Sequence, residues 1–87
     1  MSAEASAWAW AQEPRSSGAK LILLCLADQA DPLGQCRATG YELAGKCRLT
    51  RSTVFKHLAE LETHSFLVRS KQRKETRQSA NHYELLL

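Results

Sequence analysis

The stretch "LAGKCRLTRSTVFKHLAEL", from Leu43 to Leu61, carries the strongest structural signal in the chain, the pattern of two short helices joined by a tight turn. Its second half places Val54, Leu58 and Leu61 at the spacing i, i+4 and i+7, which predicts a helix with a narrow buried stripe. Thr50 stands just before this run, where a threonine side chain can accept a backbone N–H and cap the helix. The opposite side of the helix is polar and basic, so it is the first candidate for a functional surface.

The first half of the stretch belongs to a shorter helix that we expect to run from Thr39 to Arg48. Thr39 is followed three residues later by Glu42, which is the pattern of a capping box. The turn after this helix requires a left-handed backbone at Arg48, a conformation that suits glycine better and costs an arginine about 1 kcal/mol. Residues 39–63 therefore predict a helix-turn-helix. The apolar side of its first helix is expected to consist of Tyr41, Leu43, Ala44 and Cys47.

A longer helix is predicted before this pair, capped by Ser16 or Ser17 and ending near Gln29. The turn "DPLG" ends it, and "QCRA", residues 35–38, is expected to form one edge strand. The buried face of the helix is expected to consist of Leu21, Leu24 and Ala27, widened by Ile22, Cys25 and Leu26.

The N-terminal segment 1–14 contains "ASAWAWAQ", which predicts one or two helical turns. Trp8 and Trp10 are expected to dock this segment on the domain, because an indole can bury roughly 150–250 Å². Stacking of the two indoles on nucleobases is the alternative.

The C-terminal part of the chain, 66–87, predicts two strands joined by a basic loop. The first strand, "FLVRSK", alternates Phe66 and Val68 on one face with Leu67 and Arg69 on the other. A polar segment follows, and "HYELLL" closes the chain with residues typical of strands. Two such strands form a hairpin.

Taken together, the elements predict a single domain over residues 1–87, of α+β class and mainly α. Three helices followed by a β-hairpin are the parts of a winged helix. The expected architecture is a winged helix-turn-helix with a three-helix core, a C-terminal hairpin as the wing, and a short N-terminal helix.

The positive charge of the chain is confined to its second half. Residues 1–45 carry three basic and five acidic side chains, a net charge of −2, whereas residues 46–87 carry nine basic and four acidic ones, a net charge of +5. Such segregation indicates a polyanionic partner. Because the second helix of a helix-turn-helix enters the major groove, we expect that partner to be double-stranded DNA.

The residues expected to bind this DNA follow from the position of the buried stripe. On the outer face of the second helix, arginine and lysine side chains can pair with guanine or phosphate, and hydroxyl groups with bases or phosphate oxygens. His57 lies nearer the stripe and is expected to pack rather than to contact bases. The candidates on the recognition helix are Arg51, Ser52, Thr53, Phe55 and Lys56. The candidates for phosphate contacts from the turn and the wing are Lys46, Arg48, Arg69, Lys71, Arg73, Lys74 and Arg77.

Other chemistries have little support in the sequence. Cys25, Cys36 and Cys47 include no C-x-x-C pair, so no metal site and no cofactor are expected. The motifs of hydrolases, P-loop proteins and zinc proteases are missing, which argues against an enzyme. The longest apolar run, "LILLCLA", is far short of the ~20 residues that cross a bilayer, and the N-terminus lacks a secretory signal. No membrane partner is expected, and the expected location is the cytoplasm.

The order "AWAW", "AKLILLCLAD", "LAGKCRLTRSTVFKHLAELETHSFLVR" and "NHYEL" resembles the helix-turn-helix domains at the N-termini of phage and plasmid replication proteins of the replication protein O type. The resemblance implies an origin-binding winged helix in a bacterial host, joined to a further region that engages replication proteins. Two positions depart from the family pattern: Arg48 replaces the usual glycine, and "HSF" stands where a glycine usually precedes the hydrophobic pair.

The expected function is therefore sequence-specific binding of duplex DNA at a replication origin or operator. A transcriptional regulator or repressor would use the same fold and remains an alternative. A protein-interaction winged helix, docking through Phe55 and the tryptophans, is another. A third is a single-strand binder in which Trp8, Trp10 or Phe55 stacks on bases. Replication proteins and a second copy of the chain are further candidate partners.

Overall fold

The computed structural model describes residues 3–70 and 81–87, which form four helices and a three-stranded antiparallel sheet. The described part of the chain is α+β and mostly helical, as the sequence predicts. The segment 71–80, which contains four of the basic residues assigned to the wing, lies outside the described residues. The elements are α1 (Ala3–Ala11), α2 (Ser17–Gln29), β1 (Gln35–Ala38), α3 (Gly40–Cys47), α4 (Arg51–Thr63), β2 (Leu67–Ser70) and β3 (Asn81–Leu85).

Side-chain caps set the starts of three helices where the sequence predicts them. Ser16 Oγ accepts the backbone N–H of Ala19 at 3.1 Å at the start of α2. Before α3, Thr39 Oγ1 accepts from the backbone N–H of Glu42 at 3.0 Å, and the Glu42 carboxylate accepts from the backbone N–H of Thr39 at 3.3 Å. The predicted capping box is therefore confirmed. Thr50 caps α4.

Helix α2 packs against α1, α3 and α4, and its buried face differs from the predicted one. The predicted face is wrong in part, because Leu21 is exposed and Leu24 is only half-buried. The seven consecutive apolar residues of this helix include no polar residue that would mark its solvent-facing side. The packing of neighbouring elements therefore determines which side is buried. The residues of the helix that are buried are Ala19, Ile22, Leu23, Leu26 and Ala27.

Helix α1 docks on α2 through alanines, and of the two indoles only Trp8 packs against the core. Ala5 and Ala9 are fully buried, whereas Trp8 is half-buried and Trp10 is 68% exposed. The prediction that Trp10 anchors the segment is therefore wrong, because two small side chains let the helices approach closely and leave the larger ring outside. Lys20 secures the C-terminal end of α1: its ammonium donates to the carbonyl oxygen of Ala9 at 2.9 Å and to those of Trp10 and Gln12.

The sheet has the order β1-β3-β2, so β1 is an edge strand and β2 and β3 form the predicted hairpin. The first hairpin strand starts at Leu67, one residue later than predicted, and its described part extends to Ser70. Tyr83 is fully buried at the centre of the sheet, opposite Cys36 on one side and Arg69 on the other. The long C-terminal strand therefore ties the hairpin to the segment that precedes α3.

The turn from α4 into β2 has the hydrogen bonds of a Schellman motif. The backbone N–H of Phe66 donates to the carbonyl oxygen of Leu61 at 2.9 Å, and that of Ser65 donates to Glu62 at 3.1 Å. Ser65 has φ of 64°, so a serine occupies a left-handed position that suits glycine better. The motif fixes the direction in which the hairpin leaves the helix.

None of the helices in residues 3–70 and 81–87 is long and apolar enough to cross a membrane.

Candidate nucleic-acid interface

Helix α4 divides into a buried and an exposed side at the positions that the sequence predicts. Val54, Leu58 and Leu61 are buried against α2, α3 and the sheet. Burial of each leucine contributes roughly 1.5–3 kcal/mol, so the rotation of the helix about its axis is strongly determined. Ser52 and Lys56 are exposed on the opposite face, and Arg51 is exposed at the N-terminal end. On the flanks of that face, Phe55 is exposed and Thr53 is half-buried. The structure thus brings all five recognition-helix candidates together on one surface, while their role in binding DNA stays a prediction.

Three hydroxyl groups cluster at the N-terminus of α4. Thr50 Oγ1 accepts the backbone N–H of Thr53 at 3.3 Å and donates to Thr53 Oγ1 at 2.9 Å. Ser52 Oγ lies 3.2 Å from Thr50 Oγ1. Backbone N–H groups at a helix N-terminus attract anions, and hydroxyls at this position add donors for phosphate oxygens. This end of the helix therefore suits a phosphate group.

Arg51 is stacked on Tyr41. The prediction that Tyr41 belongs to the apolar side of α3 is therefore wrong. The Arg51 guanidinium carbon lies 4.3 Å from the centre of the Tyr41 ring, and the tyrosine is 53% exposed. Tyr41 precedes the buried Leu43 by two residues, about 200° around the helix, which is the signal that places it outside. Stacking restricts the guanidinium plane while leaving its edge in solvent. Tyr41 is therefore a further member of the surface.

Phe55 is anchored at one edge although 41% of it is exposed. A Cβ atom added to Gly40, the first residue of α3, would lie only 2.8 Å from Phe55 Cζ. Glycine at this position lets the ring lie directly against the start of α3. Phe55 and Tyr41 thus flank the point where the N-termini of α3 and α4 come together, with Arg51 between the two helices.

The turn between α3 and α4 exposes two of the predicted phosphate contacts. Arg48 has φ of 58° and ψ of 42°, which confirms the left-handed conformation predicted for it. The backbone N–H groups of Arg48 and Leu49 both donate to the carbonyl oxygen of Ala44, which closes the helix end. The side chains of Lys46 and Arg48 are exposed. Both cations are therefore free of the packing that holds the rest of the turn.

His57 packs between α4 and the start of α2, and the prediction that it is a packing residue is confirmed. Its Nδ1 lies 3.4 Å from Ser16 Oγ and 3.3 Å from Glu60 Oε1, and its ring lies against Gly18. Ser16 and Glu60 both approach Nδ1 of the ring. The three groups therefore do not form a proton relay, in which each ring nitrogen would contact a different partner. The cluster joins two helices.

Arg69 is less available than the other candidates on the hairpin. Its Nη2 lies 3.3 Å from Glu62 Oε1, and its side chain is only 20% exposed. The ion pair links β2 to the end of α4 and keeps part of the positive charge of the hairpin neutralised. The remaining wing candidates, Lys71, Arg73, Lys74 and Arg77, lie outside the described residues.

The residues that the structure describes contain no group of three or more histidine, cysteine or acidic side chains arranged to hold a metal ion. The surface instead combines exposed cations, hydroxyl donors and aromatic edges over the N-terminal turns of α4. This combination can donate hydrogen bonds to phosphates and to base edges. No protein-family model matches the chain, and a search of the curated proteins finds no significant match.

Proposed function

We propose that the chain is a winged helix-turn-helix that binds double-stranded DNA sequence-specifically. The observation that carries the proposal is the exposure of Ser52 and Lys56 on the outer face of α4, with Arg51 exposed at its N-terminal end, while the opposite face is buried. A recognition helix needs this arrangement, because only a helix that packs on one side can insert the other into the major groove. The hairpin that directly follows α4 corresponds to the wing.

The side chains divide into base-reading and phosphate-binding groups. Arg51 lies over the Tyr41 ring, and its guanidinium can offer two N–H groups to guanine O6 and N7. Lys56 lies one turn beyond Ser52 on the outer face of α4, within reach of the next base or phosphate. Lys46 and Arg48 are the phosphate contacts of the turn, and the basic segment after Arg69 is assigned to the backbone beside the groove.

The proposed target is a replication origin or operator of a phage or plasmid. The resemblance to replication proteins of the O type supports the origin, and a repressor would use the same surface at an operator. A single module of this size buries roughly 600–1,000 Å² of protein surface on DNA. Such an area gives modest affinity, so a second copy or a replication partner is expected to add contacts.

The salt dependence of binding tests the proposal. If about six cations between Lys46 and Arg77 reach phosphates, the slope of log K against log salt is expected to be about −5 on duplex DNA. Fluorescence anisotropy with a labelled duplex, from low to physiological salt, measures this slope. Affinity for duplex that does not change with salt, or that does not exceed affinity for an acidic polypeptide, would refute it.

Two matched variants distinguish an effect of the proposed DNA-binding surface from an effect of the net charge of the molecule. Lys74→Ala is expected to weaken binding to all duplexes alike and to flatten the slope by about one. Arg37→Ala removes the same charge from an exposed site on β1, away from α4, and is expected to leave the slope unchanged. Equal effects of both variants would mean that only net charge matters.

A second candidate function is single-strand binding, which the exposure of Trp10 favours. The indole is 68% exposed, and Lys20 Nζ lies 5.7 Å from the ring centre, so a stacking surface and a cation are adjacent. This candidate predicts strong quenching of tryptophan fluorescence by single-stranded oligonucleotides, with little preference for duplex. The DNA-duplex proposal predicts the reverse preference.

A further inference from the structure

We propose that Cys25 and Cys47 form a redox modification site, at which a hydroperoxide-class oxidant creates an intramolecular disulfide between α2 and α3. The two Sγ atoms lie 3.2 Å apart although the residues are 22 positions apart in the chain. The proposal does not depend on DNA binding.

The positions of the two thiols in the fold keep them together. Cys25 lies on α2 and Cys47 on the last turn of α3, and each helix has a fixed start through its own side-chain cap. A disulfide has its sulfur atoms about 2.0 Å apart, so the two side chains need to close by only about 1.2 Å. We expect rotation of the two side chains about their Cα–Cβ bonds to supply this movement.

The two cysteines differ in access and in reactivity. Cys25 is half-buried and can be reached from solvent, whereas Cys47 is only 5% exposed. Burial, helped by a hydrogen bond with Cys25, raises the pKa of Cys47 to about 12. Since the thiolate is the reactive form, Cys25 is assigned as the sulfur that is oxidised first and Cys47 as the one that resolves it.

The chemistry balances with one molecule of hydrogen peroxide. The Cys25 thiol loses its proton, and the thiolate attacks the O–O bond, which breaks to give a sulfenic acid and hydroxide; the released proton converts the hydroxide to water. The Cys47 sulfur then attacks the sulfenic sulfur, the S–S bond forms, and the hydroxyl group leaves as a second water after taking up the Cys47 proton. In total, two thiols are oxidised by two electrons and hydrogen peroxide is reduced to two water molecules.

Cys36 provides a matched internal control. It is also buried, but it lies on β1, and its Sγ donates to the carbonyl oxygen of Tyr83 at 3.7 Å. Burial, with a contribution from Asp31, raises its pKa to about 11. Among the described residues, its hydrogen-bond partner is this carbonyl oxygen and not a second thiol. It is therefore expected to remain a free thiol when the pair is oxidised.

The test is a count of free thiols in the folded chain before and after exposure to a small excess of hydrogen peroxide. The number is expected to fall from three to one, with a mass loss of two hydrogens and full reversal by dithiothreitol. Because the bond closes a loop of about 22 residues, the oxidised form is expected to melt on the order of 10 °C higher than the reduced form. In the Cys36→Ala variant, both remaining thiols are expected to be lost on treatment with peroxide. The Cys25→Ser variant is expected to form no intramolecular disulfide.

Three outcomes would overturn the proposal. The first is three free thiols after treatment of the wild-type chain. The second is oxygen addition at Cys25 without loss of the Cys47 thiol. The third is a disulfide that requires Cys36. The wild-type chain alone distinguishes these outcomes by thiol count and peptide mapping, so the test holds even if a variant at a buried cysteine does not fold.

Discussion

Arg48 adopts a left-handed backbone that an L-residue with a side chain takes only at a cost of about 1 kcal/mol or more. The sequence predicts this conformation because the turn of a helix-turn-helix requires it at that position. Arg48→Gly is expected to raise the free energy of unfolding by up to about 1 kcal/mol, partly offset by the flexibility of glycine when unfolded. Urea denaturation measures the change.

The same substitution is expected to weaken duplex binding, because an exposed cation of the turn is lost. Ser65→Gly is the matched control: it relieves the same left-handed strain at φ 64° but removes no charge. Both variants are expected to gain stability, and only Arg48→Gly to lose affinity. If Ser65→Gly lost affinity to the same extent, the charge of Arg48 would not be the cause.

The hydrophobicity of Tyr41 predicts the apolar side of α3, whereas its helical position places it beside Arg51. Tyr41→Leu is expected to remove the stacking on the guanidinium, at a cost of about 1 kcal/mol or less in folding, since the site is exposed. Its larger effect is expected on specificity: the preference for the base that Arg51 contacts is expected to fall several-fold. Tyr41→Phe keeps the ring and is expected to retain the preference. Competition binding with single-base variants of a bound duplex measures the difference.

Helix α1 depends on Lys20 for its attachment as much as on the buried alanines. The Lys20 ammonium donates to three carbonyl oxygens at the C-terminal end of α1, where the helix dipole favours a cation. Lys20→Met is therefore expected to lower the free energy of unfolding by about 1–2 kcal/mol. Amide hydrogen exchange within Ala3–Ala11 is expected to accelerate more than in α4.

Lys56→Met, at an exposed position of α4, serves as the control for loss of a lysine. It is expected to leave the stability and the exchange of α1 unchanged. Slower exchange in α1 for Lys20→Met, or an equal loss of stability in both variants, would contradict the role of Lys20 as a cap.

The sequence predicts well the helix starts that a capping side chain marks. It predicts poorly the buried faces and docking contacts that no polar residue marks. Thr39, Thr50 and Ser16 each mark a helix start through a side-chain oxygen, and the structure uses all three. Helix α2 offers an unbroken apolar run, so only its neighbours determine which residues are buried. Helix α1 docks through alanines, whose fit depends on the surface of α2 and not on any local pattern. The pairing of Arg69 with Glu62 is likewise a tertiary contact that spacing does not reveal.

As a whole, the molecule separates its stabilising contacts from its cationic surface. The apolar residues of α2, α4 and the sheet form one buried cluster, while the exposed cations of α3 and α4 lie outside it. The second half of the chain carries a net charge of +5 and the first half −2, so the charge is unevenly distributed along the chain. A polyanion is expected to approach the α4 side first.

Selection of bound duplexes from a random-sequence pool tests the base-reading role of α4 most directly. The wild-type chain is expected to enrich a short consensus. Lys56→Ala and Ser52→Ala are each expected to change it at one or two positions, at a cost of about 1–3 kcal/mol for the lost contact. Arg37→Ala, on β1, is expected to enrich the wild-type consensus. If the wild-type chain enriched no sequence, or the α4 variants enriched the same one unchanged, the assignment of α4 as a recognition helix would be wrong.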